Sequence, residues 1–352
     1  MTKPRARDLG LPFPGTPGPL NAITDVPGVA VGFCTLTDPA RKMRTGVTAI
    51  LPRPGTEPQP VWAGHYALNG NGEMTGTHWI NDAGYFLGPI LITNTHGVGA
   101  AHEGAVRWMI ETYADHFRTE HAWAMPVVAE TYDGVLNDIT RLAVTPDHAL
   151  AALRAARPGA VAEGSTGGGN GMIAYEFKAG TGTSSRRVHV GGDWTVAALV
   201  QANHGLRPWL TVCGRPVGAM MPEDRLARRE TGSIIVILAT DAPLSPLSLR
   251  ALARRAAIGI GRAGTPGGNS SGDIFLAFST ADAGDVPQRR GPLDTVTEMN
   301  TGHIDPIYLA AVEAVDEAVV NAIVAGEDVP TVKPPGQICR AIDAARLMAL
   351  FA

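Results

Sequence analysis

Several short runs of this chain are rich in valine and isoleucine, and none of them alternates strictly between apolar and polar residues. A strand with one face in water would alternate with a period of two, so these runs predict strands covered on both faces. The runs are Gly46–Leu51, Pro89–Thr93, Met125–Thr131, Thr195–Gln201 and Ser233–Thr240. Because other layers must provide that cover, the sequence predicts an α/β fold in which sheets are layered with helices.

Three helices are predicted from the residue pairs that open them, each a capping residue followed directly by proline. The pairs are Thr145-Pro146, Ser245-Pro246 and Asp305-Pro306. A last amphipathic stretch, Ile338–Phe351, predicts a fourth helix at the end of the chain. Since no repeat, linker or change of composition divides the 352 residues, we expect one domain over residues 1–352.

The composition argues against several classes of partner and cofactor. The net charge of −4 is small and unpatterned, so we expect no nucleic-acid or anionic membrane partner. The three cysteines are far apart and no histidines have ligand spacing, so we expect neither disulfides nor a catalytic metal. The G-x-G-x-x-G match at Gly259–Gly264 closes a helix instead of opening one, which argues against a dinucleotide cofactor. Without a recognisable signal peptide or membrane-length apolar run, a cytoplasmic location is expected.

The stretch GTPGGNSSGDIFLAFS (264–279) contains two adjacent serines, and GNSSG matches the G-x-S-x-G pattern centred on Ser270. In an α/β-hydrolase that pattern lies between a preceding strand and a following helix. Here the order is reversed, because the helical run LSLRALARRAAIGIG precedes the loop and the β-prone run Ile274–Thr280 follows it. His303 is the only histidine after Ser270, and it stands close to a helix start. The sequence therefore disfavours a nucleophile elbow on Ser270.

The reversed order suits a serine that becomes the first residue of a strand when the backbone is cut before it. If the chain is cut before Ser271, the new α-amine lies within reach of the serine hydroxyl. An α-amine has a pKa of about 8, so it can serve as general base without a histidine. The same hydroxyl could make the cut through an N-to-O acyl shift in the flexible glycine-rich turn. From the residues alone, a plain polar turn remains the alternative.

Seven phrases of the chain resemble one family of self-cleaving enzymes, and they occur in the same order from Arg5 to the end. The phrases are RARDLGLPFPGTPGPLNAITDVPGVAVG, NGNGEMTGTHWI, GPILITNTHGVG, MPVVAETYDGVLND, VQANHG, GSIIVILATDAPL and RAGTPGGNSSGDIFLAFST. The family is that of the DmpA-type L-aminopeptidases/D-amidases/D-esterases, which includes β-peptidyl aminopeptidases. The resemblance implies an αββα sandwich of two mixed sheets between helical layers, shared with the ornithine acetyltransferases. It also implies a precursor cut into an α subunit (1–270) and a β subunit (271–352), assembled as a homotetramer.

The resemblance assigns the site residues. The nucleophile of such relatives is the serine before Gly-Asp, here Ser271, so the bond to be cut joins Ser270 to Ser271. Relatives usually carry Asn or Gly at the position of Ser270, which leaves open which serine starts the β subunit. The Tyr132 hydroxyl and the Asn203 amide are implied to hold the oxyanion. Taken alone, Tyr132 could be a turn aromatic and Asn203 a left-handed residue before a glycine.

Two acids complete the site that the resemblance implies. Glu130 ends an apolar strand and is similar to the glutamate that binds the substrate ammonium in β-peptidyl relatives, with a buried ion pair as the alternative. Asp316 lies on the helix 306–325, where relatives often carry Ser-x-Glu beside the nucleophile. Here that stretch reads Ala314-Val315-Asp316, without the serine and with a shorter acid. A solvated helix acid is the competing interpretation of Asp316.

These observations predict an aminopeptidase or amidase that releases N-terminal amino acids from short peptides, amides or esters through an acyl-enzyme on Ser271. The Asn69–Met74 segment, His78 and the loop Gly167–Gly171 are further candidates for the substrate cleft. One alternative is an acyltransferase of the ornithine acetyltransferase type, although those enzymes use threonine at the cut. Another is an uncut binding or assembly protein on the same scaffold. The preference among L-, D- and β-amino acids depends on pocket shape.

Overall fold

Two mixed β-sheets lie at the centre of the computed structural model, which describes residues 3–226, 229–281 and 284–352. The strands are β1 Ala30–Asp38, β2 Met43–Leu51, β3 Val61–Ala67, β4 Tyr85–Phe86, β5 Ile90–Asn94, β6 Val127–Thr131, β7 Ile173–Ala174, β8 Phe177–Lys178, β9 Thr181–His189, β10 Asp193–Asn203, β11 Ser233–Thr240, β12 Ile274–Ser279, β13 Val329–Pro330 and β14 Ile338–Cys339. The helices are α1 Thr77–Ala83, α2 Val98–Thr112, α3 Ala114–Thr119, α4 Pro146–Arg154, α5 Val217–Met220, α6 Pro246–Arg262, α7 Asp305–Val324 and α8 Ala344–Ala349.

The smaller sheet has four strands in the order β1-β2-β5-β6, and the larger has six in the order β4-β3-β12-β11-β10-β9. Each sheet contains one parallel pair, β5 with β6 and β11 with β12, while its other neighbours run antiparallel. Both sheets are therefore mixed, as the resemblance implied.

Side chains on alternate positions of the strands fill three apolar layers. On β11, Ile235 and Ile237 face the smaller sheet, whereas Ile234 and Val236 face α6 and α7. Helices α2 and α4 cover the outer face of the smaller sheet. Because both faces of each sheet are buried, the strands need no polar face, which explains the unbroken apolar runs. The αββα sandwich is confirmed.

The predicted helices at 146, 246 and 305 are confirmed, but the single C-terminal helix over Ile338–Phe351 is wrong. Ile338 and Cys339 form β14, which pairs with β13, and only Ala344–Ala349 is helical. Asp343 ends the extended segment and caps α8 by accepting a hydrogen bond from the backbone N–H of Arg346. No helix among the described residues is long and apolar enough to cross a membrane.

The sheet topology places three strand ends around the serine loop. Strand β12 begins three residues after Ser271 and lies between β11 and β3. Its first residue pairs with Ile235 on one side and with Ala67, the last residue of β3, on the other. The chain that leaves β3 must therefore pass beside Ser271, at the end of the sheet where β12 begins.

Candidate active site

The loop between α6 and β12 carries the two serines in different environments. Ser270 is exposed, whereas Ser271 is 2% exposed at the entrance to the sheet. The turn needs glycine, because Gly264 has a φ of +107° and a Cβ there would lie 1.7 Å from the carbonyl oxygen of Trp209. Since Ser270 is exposed and Ser271 is buried, the peptide bond between them lies at the boundary between solvent and core.

The Ser271 hydroxyl lies between an amide and a carboxylate. It donates a hydrogen bond to Asp273 Oδ2 at 2.8 Å and accepts one from Asn69 Nδ2 at 2.9 Å. Asp273 is 1% exposed, and burial raises its pKa to about 6 although the bond from Ser271 opposes the shift. These contacts fix the serine rotamer and direct its proton toward the Asp273 carboxylate.

The peptide bond before Ser271 is held on both sides by the segment that follows β3. Asn71 Nδ2 donates to the Ser270 carbonyl oxygen at 2.7 Å, and the backbone N–H of Asn71 donates to the Ser271 carbonyl oxygen at 3.2 Å. The Ser271 N–H donates to the Gly268 carbonyl oxygen at 2.9 Å. The bond expected to break is thus fixed in position in the uncut chain.

Tyr132 and Asn203 lie together on an open cleft. Asn203 Nδ2 donates to the Tyr132 carbonyl oxygen at 2.9 Å, and Asn203 Oδ1 accepts from the Ile173 N–H at 2.9 Å. The Asn203 amide therefore joins the ends of β6 and β7 and keeps its second N–H for another acceptor. Glu230 also lines the cleft, and its carbonyl oxygen accepts a hydrogen bond of 3.4 Å from the Ser270 hydroxyl.

Glu130 lies at the end of β6 and is 5% exposed. Its carboxylate accepts hydrogen bonds from the Thr95 hydroxyl and, at 3.1 Å, from the Glu73 N–H. Burial raises its pKa, and it forms no ion pair with any described residue, which disfavours the structural ion pair. A Cβ on Gly72 would lie 3.2 Å from both Glu130 Oε1 and Gly272 Cα, so the carboxylate faces the nucleophile segment across a narrow gap.

Asp316 is buried on α7 and does not hydrogen-bond to Ser271. Its Oδ1 has no partner among the described residues, and burial raises its pKa to about 7 while Arg262 and Arg186 oppose the shift. Because Asp316 is buried, the competing interpretation from the sequence, a solvated helix acid, is wrong. Asp316 follows Val315, which packs against Gly259 near the end of α6, the helix that precedes the serine loop.

The sequence did not predict the hydrogen bonds that Asn71, Asp273 and Glu230 form with the two serines of the loop. The Asn69–Met74 segment was a candidate for the cleft, and the structure brings it directly against Ser271. Gly167–Gly171 forms a buried 3-10 helix of which only Gly171 lines the cleft, and His78 lies exposed on α1. Within the described ranges, no group of three or more His, Cys, Asp or Glu side chains could hold a metal ion.

Comparison with known proteins gives concordant matches. Residues 21–334 match the sequence model of peptidase family S58. The β-peptidyl aminopeptidase BapA of Sphingosinicella microcystinivorans is 48% identical over 92% of this chain and 86% of its own. One solved structure is that of the L-aminopeptidase D-Ala-esterase/amidase of Ochrobactrum anthropi, described as a prototype serine aminopeptidase with a variant Ntn hydrolase fold. It is 55% identical to this chain in sequence, with a TM-score of 0.94 over 99% of this chain and 98% of its own. A β-aminopeptidase of a Burkholderia species is 46% identical, with a TM-score of 0.88 over 98% of both chains.

Proposed function

This chain belongs to peptidase family S58 and is a serine aminopeptidase of the Ntn hydrolase fold, and from this premise we propose its mechanism and substrates. It removes the N-terminal residue from short peptides, amino-acid amides or esters through an acyl-enzyme on Ser271. The observation that carries the proposal is the buried Ser271 just before β12, with the Glu130 carboxylate, which has no ion-pair partner among the described residues, facing the adjacent Gly272 across the Gly72 gap.

We propose that the chain matures by a cut between Ser270 and Ser271 into residues 1–270 and 271–352. Support comes from the position of Ser271, which the cut would turn into a free N-terminus beside β12. The two pieces would stay together, because β12 pairs with β11 and β3 and the long helix α7 is buried against β9 and β10. Cleavage therefore changes the chemistry of one residue without dismantling the core.

In the mature enzyme the α-amine of Ser271 takes the hydroxyl proton, and Oγ attacks the substrate carbonyl. The free N–H of Asn203 and the Tyr132 hydroxyl donate to the oxyanion from the cleft. The amine then protonates the leaving group, and water releases the acyl chain. Asp316, whose Oδ1 has no hydrogen-bond partner within the described part of the chain, is the acid we assign to orient the new α-amine.

Glu130 is proposed to bind the substrate ammonium. A carboxylate that has no ion-pair partner among the described residues selects substrates with an unblocked amine, because the ammonium offers a charged hydrogen-bond donor that a blocked amine lacks. The names of the relatives point to peptides with an N-terminal β-amino acid or L-amino acid, and to esters and amides of D-alanine, as substrate classes. The comparisons favour these substrates over the acyl-ornithine of the acyltransferase alternative.

A panel of L-Ala, D-Ala and β-Ala p-nitroanilides, each with its N-acetyl derivative, tests the function. We expect hydrolysis of at least one free-amine substrate, at least about tenfold slower hydrolysis of its acetylated form, and none by Ser271→Ala. Equal rates on free and acetylated substrates would contradict an aminopeptidase. Activity that survives Ser271→Ala would contradict the nucleophile.

We further propose a cytoplasmic homotetramer of cleaved pairs. Light scattering after gel filtration should give four times the 36.8 kDa mass of one chain. A monomeric or dimeric mass for the active enzyme would contradict the tetramer while leaving the mechanism intact.

A further inference from the structure

The Ser270–Ser271 peptide has hydrogen-bond partners that differ from the oxyanion donors assigned to the peptidase reaction. We propose that Asp273 and Asn71 carry out the self-cleavage of the precursor. Asp273 takes the proton from the Ser271 hydroxyl, and the Asn71 amide stabilises the oxyanion that forms on Ser270. This inference rests on the proposed cut between the two serines.

The precursor needs a base of its own because the α-amine does not yet exist. Before the cut, the Ser271 nitrogen is an amide that donates to the Gly268 carbonyl oxygen at 2.9 Å and cannot accept a proton. The Ser271 hydroxyl donates instead to Asp273 Oδ2 at 2.8 Å. Asp273 is held in place by the Ile234 N–H, which donates to Oδ1 at 3.2 Å, and its pKa of about 6 suits proton transfer near neutral pH.

The precursor also needs a donor for the oxyanion. Asn71 Nδ2 already donates to the Ser270 carbonyl oxygen at 2.7 Å, and this bond strengthens as the oxygen becomes an anion. The backbone N–H of Asn71 holds the next carbonyl, that of Ser271, at 3.2 Å. Tyr132 and Asn203, the donors assigned to the peptidase reaction, line the cleft instead. There the Asn203 side-chain amide is hydrogen-bonded to the backbone of Tyr132 and Ile173.

The glycine between serine and aspartate permits this arrangement. A Cβ on Gly272 would lie 2.5 Å from the Asn71 carbonyl oxygen and 2.9 Å from Gly72 Cα, so any other residue would push the Asn71 segment away. Asn69 also holds the loop in place, since its Nδ2 donates hydrogen bonds to both the Ser271 hydroxyl and the Gly268 carbonyl oxygen. The Ser-Gly-Asp sequence thus supplies a nucleophile, a close approach and a base in three consecutive residues.

The reaction then runs as an N-to-O acyl shift followed by hydrolysis. Ser271 Oγ bonds to the Ser270 carbonyl carbon while its proton passes to Asp273. The tetrahedral intermediate collapses, the bond between that carbon and the Ser271 nitrogen breaks, and the proton on Asp273 passes to the leaving amine. Water then attacks the resulting ester, which yields the Ser270 carboxylate and restores the Ser271 hydroxyl beside its new α-amine.

The rate of self-cleavage in purified full-length variants tests this assignment. We expect Asn71→Ala to slow the cut about 10²–10³-fold, as for loss of one oxyanion donor, and Asp273→Asn to leave the chain uncut. The matched control is Asn81→Ala, because Asn81 is an exposed asparagine on α1 that contacts His65. It should be cut at the wild-type rate. Asn71 is exposed, so its truncation is compatible with folding and tests the inference even if Asp273→Asn fails to fold.

A second readout separates self-cleavage from peptidase activity. Once Asn71→Ala has been cut to completion, its kcat per cut chain should fall less than about tenfold, because the substrate oxyanion uses other donors. Cutting of both variants at the wild-type rate would overturn the assignment, as would equal losses of cleavage and of kcat. A wild-type chain that stays uncut and active would overturn the proposed maturation itself, which is a different outcome.

Discussion

Replacing Asp316 with asparagine should stabilise the protein above neutral pH. Asp316 is 6% exposed, its Oδ1 has no partner among the described residues, and burial is the largest cause of its raised pKa. Asparagine has nearly the same shape and carries no charge. The substitution therefore removes a buried charge that the surrounding protein compensates only in part, through Arg262 and Arg186.

The size and sign of the effect follow from the pKa. Folding raises the pKa of Asp316 from 3.8 to about 7, so the folded state binds the proton more tightly than the unfolded state. At about 1.4 kcal/mol per pKa unit, ionised Asp316 costs about 4 kcal/mol at pH 8, and this cost disappears as the pH falls below about 4. Burying an amide costs about 1–3 kcal/mol, so the net gain at pH 8 is about 1–3 kcal/mol.

Denaturant unfolding of Ser271→Ala and Ser271→Ala/Asp316→Asn, both expected to stay uncut, measures this gain. We expect the double variant to be the more stable at pH 8 and to lose its advantage at pH 5. Asp82→Asn, at an exposed position on α1, is the control and should change stability by less than about 0.5 kcal/mol at either pH. A double variant that is no more stable than its parent at pH 8 would refute the reasoning.

Three further substitutions probe the site. Glu130→Gln should raise the KM for free-amine substrates about tenfold or more, since a hydrogen bond to a charged group contributes about 1.5–3 kcal/mol; an unchanged KM would remove Glu130 from ammonium binding. Gly72→Ala should also raise KM, because its Cβ would lie 3.2 Å from Glu130 Oε1 in the gap assigned to the ammonium; kinetics that match wild type would place the ammonium elsewhere. Ser270→Ala should still be cut before Ser271, because the attacking hydroxyl belongs to Ser271; mass spectrometry that finds a different new N-terminus would reassign the nucleophile.

The sequence predicted most of the central strands because burial on both faces leaves a simple apolar signal, but it missed β1, β3 and β9. Strand β9 carries the buried polar run Ser184-Ser185-Arg186, in which Ser184 and Arg186 contact α7 and Ser185 hydrogen-bonds to Asp25. Arg186 pairs there with Glu317 at 2.7 Å. An ion pair between distant segments makes a buried strand look exposed, and no local pattern reveals the partner.

The site shows the same division between local and distant information. The order of elements around the loop was enough to favour Ser271 over Ser270, because the order is a local property. The contacts of Asn69 and Asn71 with that loop span about 200 residues and depend on the pairing of Ile274 with Ala67. Whether Glu130 forms a buried ion pair could be decided only from the structure, because its neighbours come from distant parts of the chain.

Self-cleavage before Ser271 is tested most directly by intact-mass analysis and N-terminal sequencing of the purified, active wild-type protein. We expect two chains, of which the smaller begins Ser-Gly-Asp-Ile and extends through Ala352. A single fully active chain of 352 residues, or a smaller chain that begins at any other residue, would contradict the mechanism.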